Sequence, residues 1–174
     1  MTLRQATSDD IPAIMAIERQ PGYEALVGRS SAEFHARAVI DPDYAYLAGL
    51  DADGAMAGFA ILRGLSDLTG NVTLKRFVVA APGKGMGTAL LREVIDWTFT
   101  NTSAHRFWLD HIVTNDRARH VYERCGFRRE GVMREAYAMP DDGGRVDLAL
   151  MSLLRPEWER DRKVFTMPAA YPGR

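Results

Sequence analysis

Phe77-Val78-Val79-Ala80-Ala81-Pro82-Gly83-Lys84-Gly85-Met86-Gly87-Thr88-Ala89-Leu90 is the stretch whose reading decides the fold. It begins with aromatic and β-branched residues, is broken by Pro82 and three glycines, and continues with Met86, Leu90, Val94 and Trp97 on one side of a helix reaching about residue 100. It reads as a strand that runs through a glycine loop directly into a helix. The first N–H groups of such a helix have no intrahelical partner, and the helix dipole adds positive potential at the same end. Glycines there let an anion approach the backbone, and Lys84 adds a full charge, so the junction suits a pyrophosphate. The same unit also serves as an ordinary turn in which glycine only relieves strain, and the stretch alone leaves both readings open. Gly83, Gly85 and Gly87 do not make Gly-x-Gly-x-x-Gly, and no Gly-x-x-x-x-Gly-Lys-Ser/Thr occurs, which counts against dehydrogenase and kinase loops.

Toward the N-terminus, residues 2–6 read as a short strand. Thr7-Ser8-Asp9-Asp10 supplies capping oxygens for a helix that carries Ile11, Ile14, Met15 and Ile17 and ends near Glu18. Residues 20–28, with Pro21 and Gly22, form a loop, and a second short helix opens at Ser30 and ends before Asp41. Lacking a strong apolar pattern, this pair suits a substrate-facing cover. Residues 44–50 and 55–63 flank Asp51-Ala52-Asp53-Gly54 as a hairpin, and residues 72–79 form the next strand.

Toward the C-terminus, residues 106–113 are a strand, and Ala118, Val121, Tyr122 and Cys125 fall at helical spacing before Gly126 stops the helix. Two further strands lie within residues 127–139 and 145–154, joined by the turn at 140–144. Strands gather first and alternate with helices later, which predicts an α/β (α+β) domain with a mixed, mostly antiparallel sheet and flanking helices. The domain is expected over residues 1–158, followed by a tail over 159–174 that is loosely held after Pro156.

At 174 residues and 47% hydrophobic, the chain suffices for one core and is short for two. Its 22 basic and 23 acidic residues nearly cancel, so no nucleic-acid or membrane partner is predicted. Cys125, the single cysteine, forms no intrachain disulfide, and with no apolar leader or spanning run the expectation is a soluble cytoplasmic protein. His35, His105, His111 and His120 show no ligand spacing with one another, so no metal is expected.

A second stretch, Leu109-Asp110-His111-Ile112-Val113-Thr114-Asn115-Asp116-Arg117-Ala118-Arg119-His120-Val121-Tyr122-Glu123-Arg124-Cys125-Gly126-Phe127, completes the pattern. Together the two resemble the GCN5-related N-acetyltransferase (GNAT) superfamily. The first matches its coenzyme A loop, Gln/Arg-x-x-Gly-x-Gly/Ala, at Gly85 and Gly87, with Pro82 in the usual Gln/Arg position. The second matches Asn-x-x-Ala-x-x-x-Tyr-x-x-x-Gly-Phe at Asn115, Ala118, Tyr122, Gly126 and Phe127. Leu3 to Ala6 with Asp9-Asp10, and Asp147, Met151 and Glu157-Trp158, are similar to the ribosomal-protein N-terminal acetyltransferase branch, so the resemblance covers residues 2–158.

The resemblance implies splayed middle strands and acetyl-coenzyme A as acyl donor. The backbone at Phe77, Val78 and Val79 would pair with the pantetheine arm, and Lys84, Gly85, Met86, Gly87 and Thr88 would hold the pyrophosphate. Asn115 would hydrogen-bond the arm, and Tyr122 would protonate the departing sulfur as general acid. On position alone Tyr122 reads as core. Asp110, five residues before Asn115, stands where some members of the branch carry a glutamate base; the rival reading is a strand-end salt bridge. Glu18, Glu24, Asp67 and Glu135 could orient a cationic substrate, and each reads otherwise as a solvated surface charge. Cys125 reads as a structural thiol. The expected acceptor is an amine on a small molecule or a peptide N-terminus. The alternatives are a longer acyl-coenzyme A donor and a non-catalytic coenzyme A-binding sensor or interaction module, for which Pro82 is the one feature. Val164, Phe165 and Met167 of the tail could pack on another subunit in a homodimer, and read otherwise as part of a flexible terminus.

Overall fold

The apolar runs on either side of residues 51–55 form an antiparallel hairpin, β2 (Tyr44–Leu50) and β3 (Met56–Arg63), after a first strand β1 (Thr2–Gln5) and two helices, α1 (Ile11–Glu18) and α2 (Ala32–Ala38). The computed structural model describes residues 1–83, 85–139 and 143–166, the last four as backbone. The chain continues through β4 (Asn71–Val79), α3 (Met86–Asn101), β5 (Arg106–Ile112), α4 (Asp116–Arg124), β6 (Arg128–Ala138), β7 (Arg145–Leu154) and α5 (Arg155–Thr166). The seven-stranded sheet has the order β1-β2-β3-β4-β5-β7-β6 and is antiparallel except between β4 and β5. This is the mixed, mostly antiparallel α/β class expected from the sequence. Among the described residues, no helix is long and apolar enough to cross a membrane.

Period-two alternation divides the core between two faces. Ala60 and Leu62 of β3 join Val72 and Leu74 of β4 beneath Leu90, Leu91, Val94 and Phe99 of α3. Their neighbours Phe59 and Ile61 pack with Ile14 and Ile17 of α1 on the opposite face. Gly58 allows the close approach of the first layer, since a β-carbon there would fall 2.9 Å from Leu90 and 2.6 Å from the Val78 carbonyl.

One feature of β4 shapes everything beyond it. Leu62 pairs with Leu74 and Ile61 with Arg76, so Lys75 is an extra residue, a β-bulge that bends the strand. Parallel pairing with β5 is confined to Asn71 with Arg106, Val72 with Phe107 and Thr73 with Trp108, and the two strands part where the bulge begins.

Just past the bulge, β4 is tied to α1 through Glu18. The sequence reading allowed Glu18 only a substrate-orienting or solvated surface role, yet it lies four residues after Ile14 on the inward side of α1 and is fully buried. Its Oε2 accepts from Arg76 at 2.9 Å, and its Oε1 accepts from Arg19 at 2.6 Å and from the Ser30 N–H at 3.3 Å. His35 Nε2 lies 3.4 Å from Oε1, and its Nδ1 lies 3.0 Å from the Tyr46 hydroxyl. Burial pushes the Tyr46 phenol up to about 12, so it keeps a proton to donate. Burial alone would raise the Glu18 carboxyl, but His35, Arg76 and the Ser30 N–H outweigh it and hold the group below its ordinary range.

After β7 the chain continues as α5 to Thr166. Pro156 occupies the first turn of α5, where the missing N–H costs nothing, and Glu157 accepts from the Leu154 N–H at 2.9 Å. Trp158 stacks on Phe99 at 5.2 Å, and Arg155 donates to the carbonyls of Phe99, Thr102 and Ala104 at the end of α3. The side chains of Val164, Phe165 and Met167, to which a subunit contact was ascribed, lie outside the described residues, as does the middle of the turn at 140–142.

Removing one partner of a buried ion pair leaves the other uncompensated, so Glu18→Ala is expected to cost about 3–5 kcal/mol in urea denaturation. Because the native carboxyl sits below its ordinary 4.5, the stability it adds is complete above that value and is lost as pH falls through the depressed one. Glu18→Gln should therefore flatten the acid limb of stability against pH.

Candidate functional site

The parting of β4 and β5 opens a cleft of about 890 Å³. Phe77, Val78 and Val79 line one wall, Asp110, His111 and Ile112 the other, Asn115, Ala118, Val121 and Tyr122 come from α4, and the loop around Tyr23 covers it. The structure thus gathers Phe77, Val78, Val79, Gly87, Asp110, Asn115 and Tyr122, all named from the sequence, in one concavity.

Ala80 N–H donates to Ala57 O at 2.7 Å, so by alternation Phe77 and Val79 turn their N–H and C=O away from β3 and into the gap. The Tyr23 hydroxyl donates to the Val79 carbonyl at 2.7 Å, and burial holds that phenol above its ordinary value, keeping it a donor. A strand edge facing a cleft needs a partner with amide-like groups spaced along an extended chain.

Gly85 caps α3 in the left-handed region at φ 75°, and Gly83 before it has φ 101°. Both conformations favour glycine. Met86, Gly87 and Thr88 form the first turn of α3, with N–H groups at the positive end of the dipole. Gly87 faces Val121 of α4, whose methyls would lie 3.7 Å from an added β-carbon. Lys84 lies outside the described residues. Backbone edge, glycine turn and helix N-terminus together fit a long chain ending in a pyrophosphate.

Asn115 is the N-cap of α4, its Oδ1 accepting from the Ala118 N–H at 3.1 Å. That leaves its amide nitrogen as the group able to reach a ligand. Tyr122 is buried beside the His111 and Phe127 rings at 5.7 and 6.0 Å, and no protein group among the described residues bonds its hydroxyl. Burial first and the Asp110 charge second push its phenol far above the ordinary value, so it is a proton donor. Asp110 is open to the cleft and makes no hydrogen bond or ion pair with the described residues. The crowding of the concave walls nevertheless raises its carboxyl, against the pull of Lys75 and His111. Cys125 is half-buried with its thiol raised by burial, in keeping with a structural role.

His111 follows Asp110 in β5 and turns by alternation to the opposite face. It is 7% exposed, and its Nδ1 lies 2.9 Å from the Ile112 carbonyl, which can only accept, so Nδ1 holds the proton. Nε2 is the one buried side-chain nitrogen or oxygen without a partner among the described residues. Lys75, Trp108 and Tyr23 also line the cleft and escaped the sequence reading. A signal existed for the first, since Lys75 and Arg76 put two charges in succession where alternation demands one. Glu24, Asp67 and Glu135 lie away from these walls, the first two bonded within their own turns. No group of three or more potential metal ligands occurs among the described residues.

The profile of the acetyltransferase (GNAT) family matches residues 11–127. Over 142 residues the chain is 32% identical to YdaF of Bacillus subtilis (strain 168), a candidate ribosomal N-acetyltransferase, with 76% of each chain covered. Over 84 residues it is 32% identical to spermidine N(1)-acetyltransferase of Vibrio cholerae, with 47% of each covered. The solved structure of spermidine N-acetyltransferase from Vibrio cholerae in complex with CoA and spermine superposes with a TM-score of 0.80 at 23% identity, covering 91% of this chain and 97% of that one, and shows the shared fold. The chain belongs to the GNAT family. It is an acetyl-coenzyme A-dependent N-acetyltransferase, and neither rival reading, the non-catalytic module or the longer acyl donor, is favoured.

An unsatisfied buried polar atom costs about 1–3 kcal/mol, so His111→Leu is expected to raise the ligand-free melting temperature. A fall would show that Nε2 is satisfied in solution.

Proposed function

We propose that the acetyl group goes to the primary amine of a small molecule, with Tyr122 as general acid and Asp110 as the group that receives the amine proton. The observation that carries this reading is that these two side chains reach one gap between strands whose facing backbone edge is free of β-pairing. The donor's arm would run along Phe77, Val78 and Val79 with Asn115 across from it, and its pyrophosphate would sit at Lys84, Gly85, Met86, Gly87 and Thr88. When bound, acetyl-coenzyme A supplies an acyl thioester that an amine can attack directly.

The protein's part is to position the amine and to manage two protons. An ammonium must lose a proton before attack, and Asp110, whose carboxyl is raised by crowding, holds that proton better than an open carboxylate does. One intervening water suits the short aspartate side chain. Tyr122, kept protonated by burial, delivers its proton to the departing sulfur. Its hydroxyl is free of protein partners among the described residues and opens on the cleft, where it can act at the reacting atoms. Pro82 replaces a side chain used at the family's loop, but the left-handed turn at Gly83 and Gly85 is intact. A peptide N-terminus is the second acceptor class, supported by the name of the Bacillus relative. The cytoplasm is the compartment we propose, on the single unpaired Cys125.

Tyr122→Phe is expected to lower kcat more than about tenfold while leaving acetyl-coenzyme A affinity nearly unchanged by calorimetry; unaltered turnover would remove it as the acid. For Asp110 the raised carboxyl places the acid limb of kcat against pH above the ordinary 3.8, with activity growing as the group deprotonates, and Asp110→Asn should abolish that limb.

A further inference from the structure

We propose that the acceptor is a free α-amino acid, an amine with a carboxylate on the neighbouring carbon, held between Asp110 and Lys75 at the mouth of the strand gap. The inference rests on the acetyl-transfer reading and adds the substrate class.

Thr73 and Trp108 are the last residues that β4 and β5 pair, and Lys75 and Asp110 each stand two positions beyond them. Leu74 and Leu109, the residues between, enter the core under α3, so Lys75 and Asp110 share the opposite face of the sheet. They therefore flank the opening of the fork from its two sides. Opposite charges so placed would normally close on each other, yet no ion pair joins them, and neither makes a hydrogen bond or salt bridge with any other described residue.

The remaining cations of that wall are compensated. Arg76 is committed to Glu18 and to the Ser30 hydroxyl at 3.0 Å, and Arg63 lies 3.7 Å from Asp43 and over the Tyr44 ring. Among the described residues lining the cleft, Lys75 and Arg117 are the cations without an ion pair and Asp110 the carboxylate without one; Lys75 is the cation that stands at the fork beside Asp110, while Arg117 lies at the start of α4 toward Tyr23. Crowding disfavours the charge on each, so a ligand bearing one charge of each sign gains where a ligand of one sign only does not.

A zwitterion meets both conditions, its ammonium at Asp110 and its carboxylate at Lys75. Trp108, on the same face as Asp110, offers an apolar wall to a side chain. A linear polyamine would bring a second ammonium against Lys75 and Arg63. In the reaction, Asp110 receives one ammonium proton and passes it to solvent, the N–C bond forms as C–S breaks, Tyr122 supplies a proton to sulfur, and the second proton shed by nitrogen restores the Tyr122 hydroxyl. The products are an N-acetyl amino acid, coenzyme A and one released proton.

The test is thiol release from acetyl-coenzyme A with each of the common amino acids beside the amine left by its decarboxylation, and with spermidine. The expected result is a preference of about tenfold or more in kcat/KM for at least one amino acid over its decarboxylated partner, the size of a charge-assisted hydrogen bond. Lys75→Met should erase that preference by raising KM for the amino acid several-fold more than for the decarboxylated amine. A wild-type preference for the decarboxylated amines or spermidine, or an equal slowing of both partners by Lys75→Met, overturns the inference and leaves acetyl transfer standing. Absence of turnover with every amine, together with no calorimetric binding of acetyl-coenzyme A, overturns both.

Discussion

β4 and β5 keep only three parallel residue pairs before Lys75 bulges and the strands separate, and the cleft, its exposed backbone edge and the grouping of its side chains all depend on that separation. A sheet without the bulge would pair Phe77 and Val79 with β5 and leave no gap. The bulged strand must also be held open, and Arg76, the residue immediately after Lys75, is fixed to buried Glu18 on α1. The ion network is thus a strut between the helical cover and the divergent half of β4. It sits in a place where an apolar pair would give as much stability but no fixed direction.

Separation also sorts the chemistry by face. Residues of β5 alternate, so His111 turns toward α4 and Tyr122 while Asp110 turns toward Lys75 and the loop at Tyr23. In the mechanism proposed above, a donor entering along the glycine turn would meet the first pair, and an acceptor entering from the other side would meet the second. The arrangement carries its cost locally, in an unpaired strand edge, an orphaned imidazole nitrogen and the uncompensated charges of Lys75 and Asp110 at the fork, each of which a ligand can satisfy.

Elements with strong local patterns were legible in the sequence. The strand, glycine loop and helix from Phe77 onward, the hairpin at residues 44–63 and the Asn115 to Phe127 helix all follow from alternation, helical spacing and turn residues. What escaped depends on partners distant in the chain. Glu18 looks like a surface acid until Arg76, 58 residues later, and His35 close on it. Pro156 reads as a breaker and is a helix starter, because Arg155 and Trp158 find the end of α3. Asn115 fits a ligand-binding motif, and half of its amide is spent on capping α4. The loss of the His111 partner has no sequence signature, since it records an absence in three dimensions.

Family membership and acceptor choice draw on different residues of this fold. Gly85, Gly87, Asn115 and Tyr122, which carry the family pattern, lie on the α3 and α4 side, where any acyl donor of one kind makes the same demands. Lys75, Trp108, Asp110 and the Tyr23 loop lie on the other side, on a bulge, a strand end and a connection, positions at which a change of charge leaves the sheet and both cores intact. Membership of the family therefore constrains the donor half strongly and the acceptor half weakly. A charge at the bulge is felt by the acceptor before it is felt by the fold, because it faces the cleft and supports no core contact. Acceptor identity is accordingly to be read from the uncompensated charges of the second face rather than from the motifs of the first.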